Sequence, residues 1–426
     1  MNELATIRAA LKDGAYRQKL EELYIDKKVA DKQTERYLHA LTCFEQEFGD
    51  GPAEIYSAPG RTEIGGNHTD HQHGNVLAAS IHQDAIAVVR PTSEPVIRFL
   101  SQGYEVEQIS LSDTTVNEKE YNTTTALVKG VVAGFLNHSL NVGGFDAYIT
   151  SDVLIGAGLS SSAAFETLVG TILSGLYNNM EVSAVDIAKI GQYAENVYFG
   201  KPCGLMDQMA CSVGNLVHID FADPKEPIVE RIEFDLSETG YCLCVTDTKG
   251  SHANLTPDYA AIPAEMKLAA NALGKDYLGE LTLEEVYEGL SQIRKKAGDR
   301  GALRAIHFVE ENRRAILESH ALKKKDMNEF LRLVKASGDS SYKYLQNVYT
   351  NHDVEHQNVS VALALSEHLL GESGVSRVHG GGFAGTIQAF VPLSMKENYK
   401  QEMEKVFGPG TCTVLFIRKY GGAKVI

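Results

Sequence analysis

Four places along the chain combine residue types at spacings that point to chemistry. The densest is Gly156, Ala157, Gly158, Leu159, Ser160, Ser161, Ser162, Ala163 and Ala164. Glycines let a backbone approach a ligand closely, and the small, apolar run from Ala163 to about Tyr177 predicts a helix that starts at the serines. The unpaired N–H groups and positive end of such a helix hold anions, and hydroxyls beside them add donors or a metal ligand. The Gly-Lys-Ser/Thr ending of a Walker A loop is absent. A plain helix cap after a glycine turn accounts for one Gly and one Ser and leaves the rest of the string unexplained.

The second place is Ala58-Pro59-Gly60-Arg61, followed by Asn67-His68-Thr69-Asp70-His71-Gln72-His73-Gly74. This stretch has more hydrogen-bonding capacity than a connection requires. Three histidines and an Asp in six residues fit a metal. The same His, Asp and Asn fit the hydroxyls of a polar ligand, and a solvated loop is the third reading. The third place is Cys203-Gly204-Leu205-Met206-Asp207-Gln208, where an Asp stands among apolar residues. Such a carboxylate is costly to bury unless paired, so Asp207 is either structural or functional. The fourth is His379-Gly380-Gly381-Gly382-Phe383-Ala384-Gly385, a glycine-rich turn or a close backbone approach.

These segments need elements to hold them. Helical spacing covers Leu4 to about Phe48 and ends at Gly49-Asp50-Gly51-Pro52. From Glu54 the texture is β-rich, with runs at 85–89, 96–100 and 147–150. A helix from Ala184 to about Val197 leads toward Cys203. Strand-like runs follow at 217–221 and 241–246, then a charge-rich helical stretch from about Ala261 to Leu345. The chain closes with 375–390, a helix near 395–406 and a strand at 412–418. There is no internal repeat. This order fits two mixed α/β domains meeting within 210–225, set at 1–222 and 223–426.

In this combination and order the segments resemble a galactokinase of the GHMP small-molecule kinase superfamily, from about Glu54 to about Val391. The family's N-terminal signature corresponds to Gly60-Arg61 through Gly66-Asn67-His68-Thr69-Asp70-His71 to Gly74. Its phosphate loop matches Gly156–Ala164 in full, its catalytic-Asp motif matches Cys203–Gln208, and its C-terminal glycine motif matches 380–385 with Ala384 where Gly is usual. The resemblance implies an α/β fold of α+β type: an N-terminal domain that binds sugar and phosphate, a ferredoxin-like C-terminal domain, and a site in the cleft between them. It implies ATP and Mg²⁺, and phosphorylation of the anomeric hydroxyl of galactose. Asp207 and Arg61 would be catalytic. Asn67, His68, Asp70, Gly204 and Tyr259 would bind the sugar, residues 156–162 the nucleotide, and Ser162 with Glu195 the magnesium.

Four positions depart from the family. Asn67 replaces the glutamate that holds the sugar's C6 hydroxyl, His71 a tyrosine, Glu63 an asparagine and Leu154 a proline. An amide still bonds a hydroxyl, so galactose stays first. Loss of the charge predicts relaxed or shifted selectivity toward galacturonate, N-acetylgalactosamine or arabinose. A sugar-and-ATP sensor without catalysis is a rival, set against the intact loop serines and Asp207 motif. A metallohydrolase built on His68, Asp70, His71 and His73 is another.

Composition narrows the partners. The 426 residues carry 40 Lys plus Arg against 56 Asp plus Glu, a net charge of −16, with 43% hydrophobic residues. Nucleic acid and anionic membrane reward clustered positive charge, and the one basic cluster of note, Lys323-Lys324-Lys325, has acidic neighbours nearby and reads as a solvated helix face. Six cysteines without a paired framework read as reduced thiols. No apolar stretch approaches signal-peptide or membrane-spanning form. The expectation is a cytoplasmic monomer or small homo-oligomer whose partners are a small sugar and ATP.

Overall fold

The computed structural model describes residues 1–154, 158–251 and 255–426. Its strands in chain order are β1 (Asn2–Glu3), β2 (Pro52–Gly65), β3 (Asn75–Pro91), β4 (Val96–Ser101), β5 (Val106–Ser110), β6 (Phe145–Ser151), β7 (Leu216–Asp220), β8 (Ile228–Ile232), β9 (Tyr241–Asp247), β10 (Val375–His379), β11 (Thr386–Pro392), β12 (Cys412–Leu415) and β13 (Ala423–Lys424).

The helical region at the start is three helices, Leu4–Lys12, Arg17–Tyr24 and Lys27–Phe48. The third begins where Asp26 accepts from the N–H groups of Lys28 and Val29, and it ends at Gly49 with φ 80°. Leu4, Ile7, Leu20, Tyr37, Leu41 and Phe44 are buried against Ile55, Ile86 and Val88. The helices Thr124–Asn137, Ser161–Tyr177 and Ala184–Tyr193 cover the other face, over Tyr56, Ala85, Ala87 and Val89. A strand buried on both faces loses the polar alternation by which strands are read. The 85–89 run is the end of a strand of 17 residues.

Among the described residues, nine strands form a sheet in the order β1-β2-β3-β6-β4-β5, with β13 on β2 and β7 between β3 and β8. The other four form the antiparallel sheet β10-β11-β9-β12. In chain order that is second, third, first and fourth strand, the ferredoxin-like arrangement. The suggested division at 222/223 falls between β7 and β8, which pair with each other in the first sheet. The second sheet starts at Tyr241, and β13 brings the chain back to β2. The sheets share one core, in which Ile64, Leu77 and Ile81 pack with Leu243, Val245, Phe390 and Leu415. Each such buried side chain contributes roughly 1.5–3 kcal/mol before the entropy cost of ordering it. Among the described residues no helix is long and apolar enough to cross a membrane.

Candidate active site

The site is built where β2 loses its register. The pairing with β3 shifts between Pro59 and Arg61 and again between Glu63 and Gly65, and such bulges re-aim side chains. Gly60 permits the close approach beside it. A Cβ there would stand 2.7 Å from the Leu159 carbonyl oxygen, which accepts from the Arg61 N–H at 3.1 Å. Arg61 then spans the site. Its Nε and Nη2 donate to the two carboxylate oxygens of Asp207 at 2.7 Å each, and Nη1 donates to the Gly158 carbonyl.

Asp207 lies in the first turn of the helix Met206–Val213, whose positive end favours an anion. Ser160 donates its hydroxyl to Asp207 and precedes the helix Ser161–Tyr177 with φ 54°. Burial pushes the Asp207 carboxyl up. The Arg61 charge, the Arg61 hydrogen bonds and Ser160 outweigh that and hold it below the usual carboxylate range. The carboxylate is therefore ionised, and its side chain is 32% exposed. The helix starts at the serines as expected, with first-turn N–H groups that have no partner within the helix. Gly156 and Ala157 lie outside the described residues.

Ser162 donates to Glu195 at 3.3 Å. Glu195 stands in a π-helical turn, Ala194–Phe199, and is 3% exposed. Lys201 donates to the same Glu195 oxygen at 3.1 Å. Gln208 donates to Glu195 at 2.8 Å and to Glu166 at 3.0 Å. Burial, then the Glu195 charge, pushes the Glu166 carboxyl well up. Among the described residues no three His, Cys, Asp or Glu side chains gather as a metal site. The donors at Ser162 and Glu195 are hard oxygens, a pair that suits Mg²⁺ carried in by phosphates rather than a protein cage.

The histidine-rich segment does not converge on a metal. His68, with φ 60°, sets its Nε2 3.1 Å from the Gly381 carbonyl. His73 stacks on Tyr277 at 3.7 Å between ring centroids. Burial, then His71, pushes the His68 imidazole down to about 3, so it is neutral. Asp70 reaches the third motif: a Cβ on Gly204 would meet its Oδ2 at 2.6 Å. Tyr259 donates to the Gly382 carbonyl at 2.8 Å and meets Phe383 edge-on.

Asn67 points inward. Its Nδ2 donates to Glu63 at 3.0 Å and to the Gly380 carbonyl at 2.8 Å. Its Oδ1 accepts from Asn347 at 2.9 Å and Ser341 at 3.3 Å. All four hydrogen-bonding positions of the amide are thus used by protein groups.

Arg61, Gly158, Ser160 and Asp207 are thus in direct contact, with Asp70 and Gly204 alongside. His68, Asn67 and Tyr259 meet on the 380–382 turn. Sequence reasoning missed Lys201, Glu166, Asn347 and the role of Gln208. It placed His379 at the head of the fourth segment without its partners, Thr62 and Thr386, at 3.0 and 2.9 Å. Lys201 had a signal: a charged residue in the turn just before the Asp207 motif. Gln208 and His379 stand inside segments already singled out, whereas Glu166 and Asn347 are long-range partners without a signal.

Residues 42–91 match the galactokinase galactose-binding signature, and residues 126–215 match the GHMP kinase N-terminal domain. The galactokinase of Homo sapiens is 30% identical over 392 residues, 91% of this chain and 96% of that one. The galactokinase of Glaesserella parasuis is 29% identical over 378 residues, 85% of this chain and 93% of that one. Among solved structures, Lactococcus lactis galactokinase complexed with galactose has a TM-score of 0.78 at 24% identity, covering 91% of this chain and all of that one. Methanococcus jannaschii mevalonate kinase has 0.61 at 15%, covering 86% and 99%. These two likenesses show the shared two-domain fold.

Proposed function

The chain belongs to the GHMP kinase superfamily as a homologue of galactokinases, and from that premise we propose that it is an ATP-dependent sugar 1-kinase whose first substrate is galactose. The anomeric oxygen bonds to the γ-phosphorus while the bond to the β–γ bridging oxygen breaks. The hydroxyl proton passes to Asp207 or through it to water, giving galactose 1-phosphate and ADP. Phosphoryl transfer asks mostly for positioning and charge stabilisation. Asp207 would hold the hydroxyl in line, and Arg61 would fix that carboxylate and face the transferring group. Residues 156–162 would cradle the phosphates at the helix start, and His68, Asp70, Gly204 and Tyr259 would line the sugar site. Mg²⁺, when bound with the nucleotide, would be held by Ser162 and Glu195 and would neutralise phosphate charge.

The observation that carries this reading is the two-pronged Arg61–Asp207 pair, tied to Ser160 at the start of a serine-tipped helix. Its test is a kinase assay over a sugar panel, with the product identified. Sugar-dependent ADP release and a sugar 1-phosphate support it; ADP release that no sugar stimulates overturns it. The inward Asn67 amide favours a second feature, selectivity broader than that of enzymes with a glutamate there. Sharp rejection of galacturonate, N-acetylgalactosamine and arabinose would exclude that feature.

A further inference from the structure

Among the described residues, both ring nitrogens of His71 are buried and without a hydrogen-bond partner. Buried polar atoms in folded proteins are almost always paired, so an orphaned imidazole calls for a physical reason. Rotation of the segment cannot supply a partner, because its neighbours are pinned. The Thr69 hydroxyl is bonded to the carbonyls of Gly66 and Asn75 at 2.8 and 2.6 Å. Gln72 accepts from the Leu278 N–H at 3.2 Å.

The ring belongs to the sugar side of the site. His71 lies in the single 3₁₀ turn Asp70–Gln72, with its ring beside that of His68, centroids 5.6 Å apart and planes at 62°. The carboxylate of the adjacent Asp70 lies against Gly204, in the motif that carries Asp207. Of the three histidines, His68 is held by the Gly381 carbonyl and His73 by Tyr277. Asn67, the other polar candidate, has its amide filled by four protein partners. His71 is thus the histidine of this segment whose two ring nitrogens are both buried and left without a protein partner, beside His68 and Asp70.

Burial pushes this imidazole down, and Asp70 opposes that in part, so the ring is neutral near pH 7. It then presents one donor and one acceptor. The two nitrogens point in divergent directions, so one hydroxyl completes one of them, by accepting from the N–H or by donating to the bare nitrogen, whereas a carboxylate can complete the donor alone.

We infer that His71 is a specificity-determining residue whose imidazole bonds one hydroxyl of a neutral sugar. This rests on the sugar-kinase reading above. The test compares the full-length chain with His71→Phe, which keeps a ring and removes both nitrogens, on galactose and each of its monodeoxy analogues. With galactose, His71→Phe raises KM about tenfold, as expected for one lost hydrogen bond in a dry site, and changes kcat by less than about threefold. For one analogue, the variant and the parent have equal KM, because the missing hydroxyl has already removed the bond. His71→Gln, still able to give and take a hydrogen bond, recovers at least half of the lost affinity on a logarithmic scale.

An unchanged KM for galactose overturns the inference. So does a KM penalty of the same size for every analogue, which would mark His71 as packing. If His71→Phe does not fold, the same deoxy series on His71→Leu and His71→Gln decides between these outcomes. If no sugar stimulates ADP release by the parent chain, the kinase reading has failed. Calorimetric titration of galactose into parent and His71→Phe then decides for His71 separately, with equal affinities overturning it.

Discussion

Asp207 gives both carboxylate oxygens to Arg61 and also accepts from Ser160. The balance of burial against these partners leaves its proton affinity below the ordinary range. A carboxylate held so is a weak base. On the proposed sugar-kinase reading, its contribution would lie in fixing the attacking hydroxyl and in taking the proton late, when the hydroxyl oxygen is already bonding to phosphorus. Asp207→Asn keeps the shape and removes the charge. It should lower kcat by at least about a hundredfold, as for loss of a placed electrostatic group. Nucleotide Kd, measured by titration calorimetry, should stay within about threefold, since on the proposed reading the carboxylate acts on the sugar hydroxyl and not on the adenine. The pH profile carries the same sign. With its proton affinity lowered, Asp207 is ionised throughout the range above the ordinary aspartate value of about 3.9. No acidic limb of kcat/KM between about pH 5 and 8 should therefore vanish in Asp207→Glu. A limb in that range which moves with this substitution would make Asp207 a working general base.

At the scale of elements, the site depends on a bulged strand meeting a loop. A Cβ on Gly60 would stand 2.7 Å from the Leu159 carbonyl oxygen and 2.9 Å from Val153 Cγ1. Gly60→Ala must therefore push the 158–160 backbone away from β2. The expected cost is about 1–3 kcal/mol in urea unfolding, typical of overpacking. A loss of kcat/KM larger than that of stability is also expected, because Gly158 and Ser160 hold Arg61 and Asp207 directly. What could be read from the sequence was what is contiguous. The glycine–serine string does open a helix at Ser161, and Cys203–Gln208 does carry Asp207 into a helix start. What could not be read depends on which sheet faces which. Asn67 looked like a ligand-facing amide because its partners, Asn347 and Ser341, lie more than 270 residues away. The part of β3 before Ala85 was missed because its polar residues have tertiary partners. Ser80 donates to the Arg418 carbonyl, and Asp84 accepts from Tyr24 and Arg36.

For the whole molecule, the two sheets are tied by a buried charge as well as by their common core. Arg377 on β10 is 0% exposed. It donates to Glu63 on β2, to the Ile64 carbonyl at 3.1 Å and to Ser337 at 3.1 Å. Glu311, on the helix Leu290–Lys323, lies 4.0 Å from it. Burial pushes the Glu63 carboxyl up, and Arg377 is the largest influence that opposes it. A buried pair broken on one side leaves an uncompensated charge and costs about 3–5 kcal/mol. Arg377→Met should therefore lower stability by about 3 kcal/mol or more near pH 7 in urea titrations. The pH dependence fixes the cause. Without Arg377, the folded Glu63 holds its proton more tightly still than the unfolded chain does. Its raised affinity contributes stability that is complete below the unfolded value of about 4.3 and is lost as pH rises through the folded one. The deficit of Arg377→Met should thus shrink from pH 8 toward pH 5. Glu63→Gln added to Arg377→Met should remove that pH dependence and recover part of the loss. A deficit equal at both pH values would mean that Arg377 joins the sheets by packing and backbone hydrogen bonds rather than by neutralising Glu63.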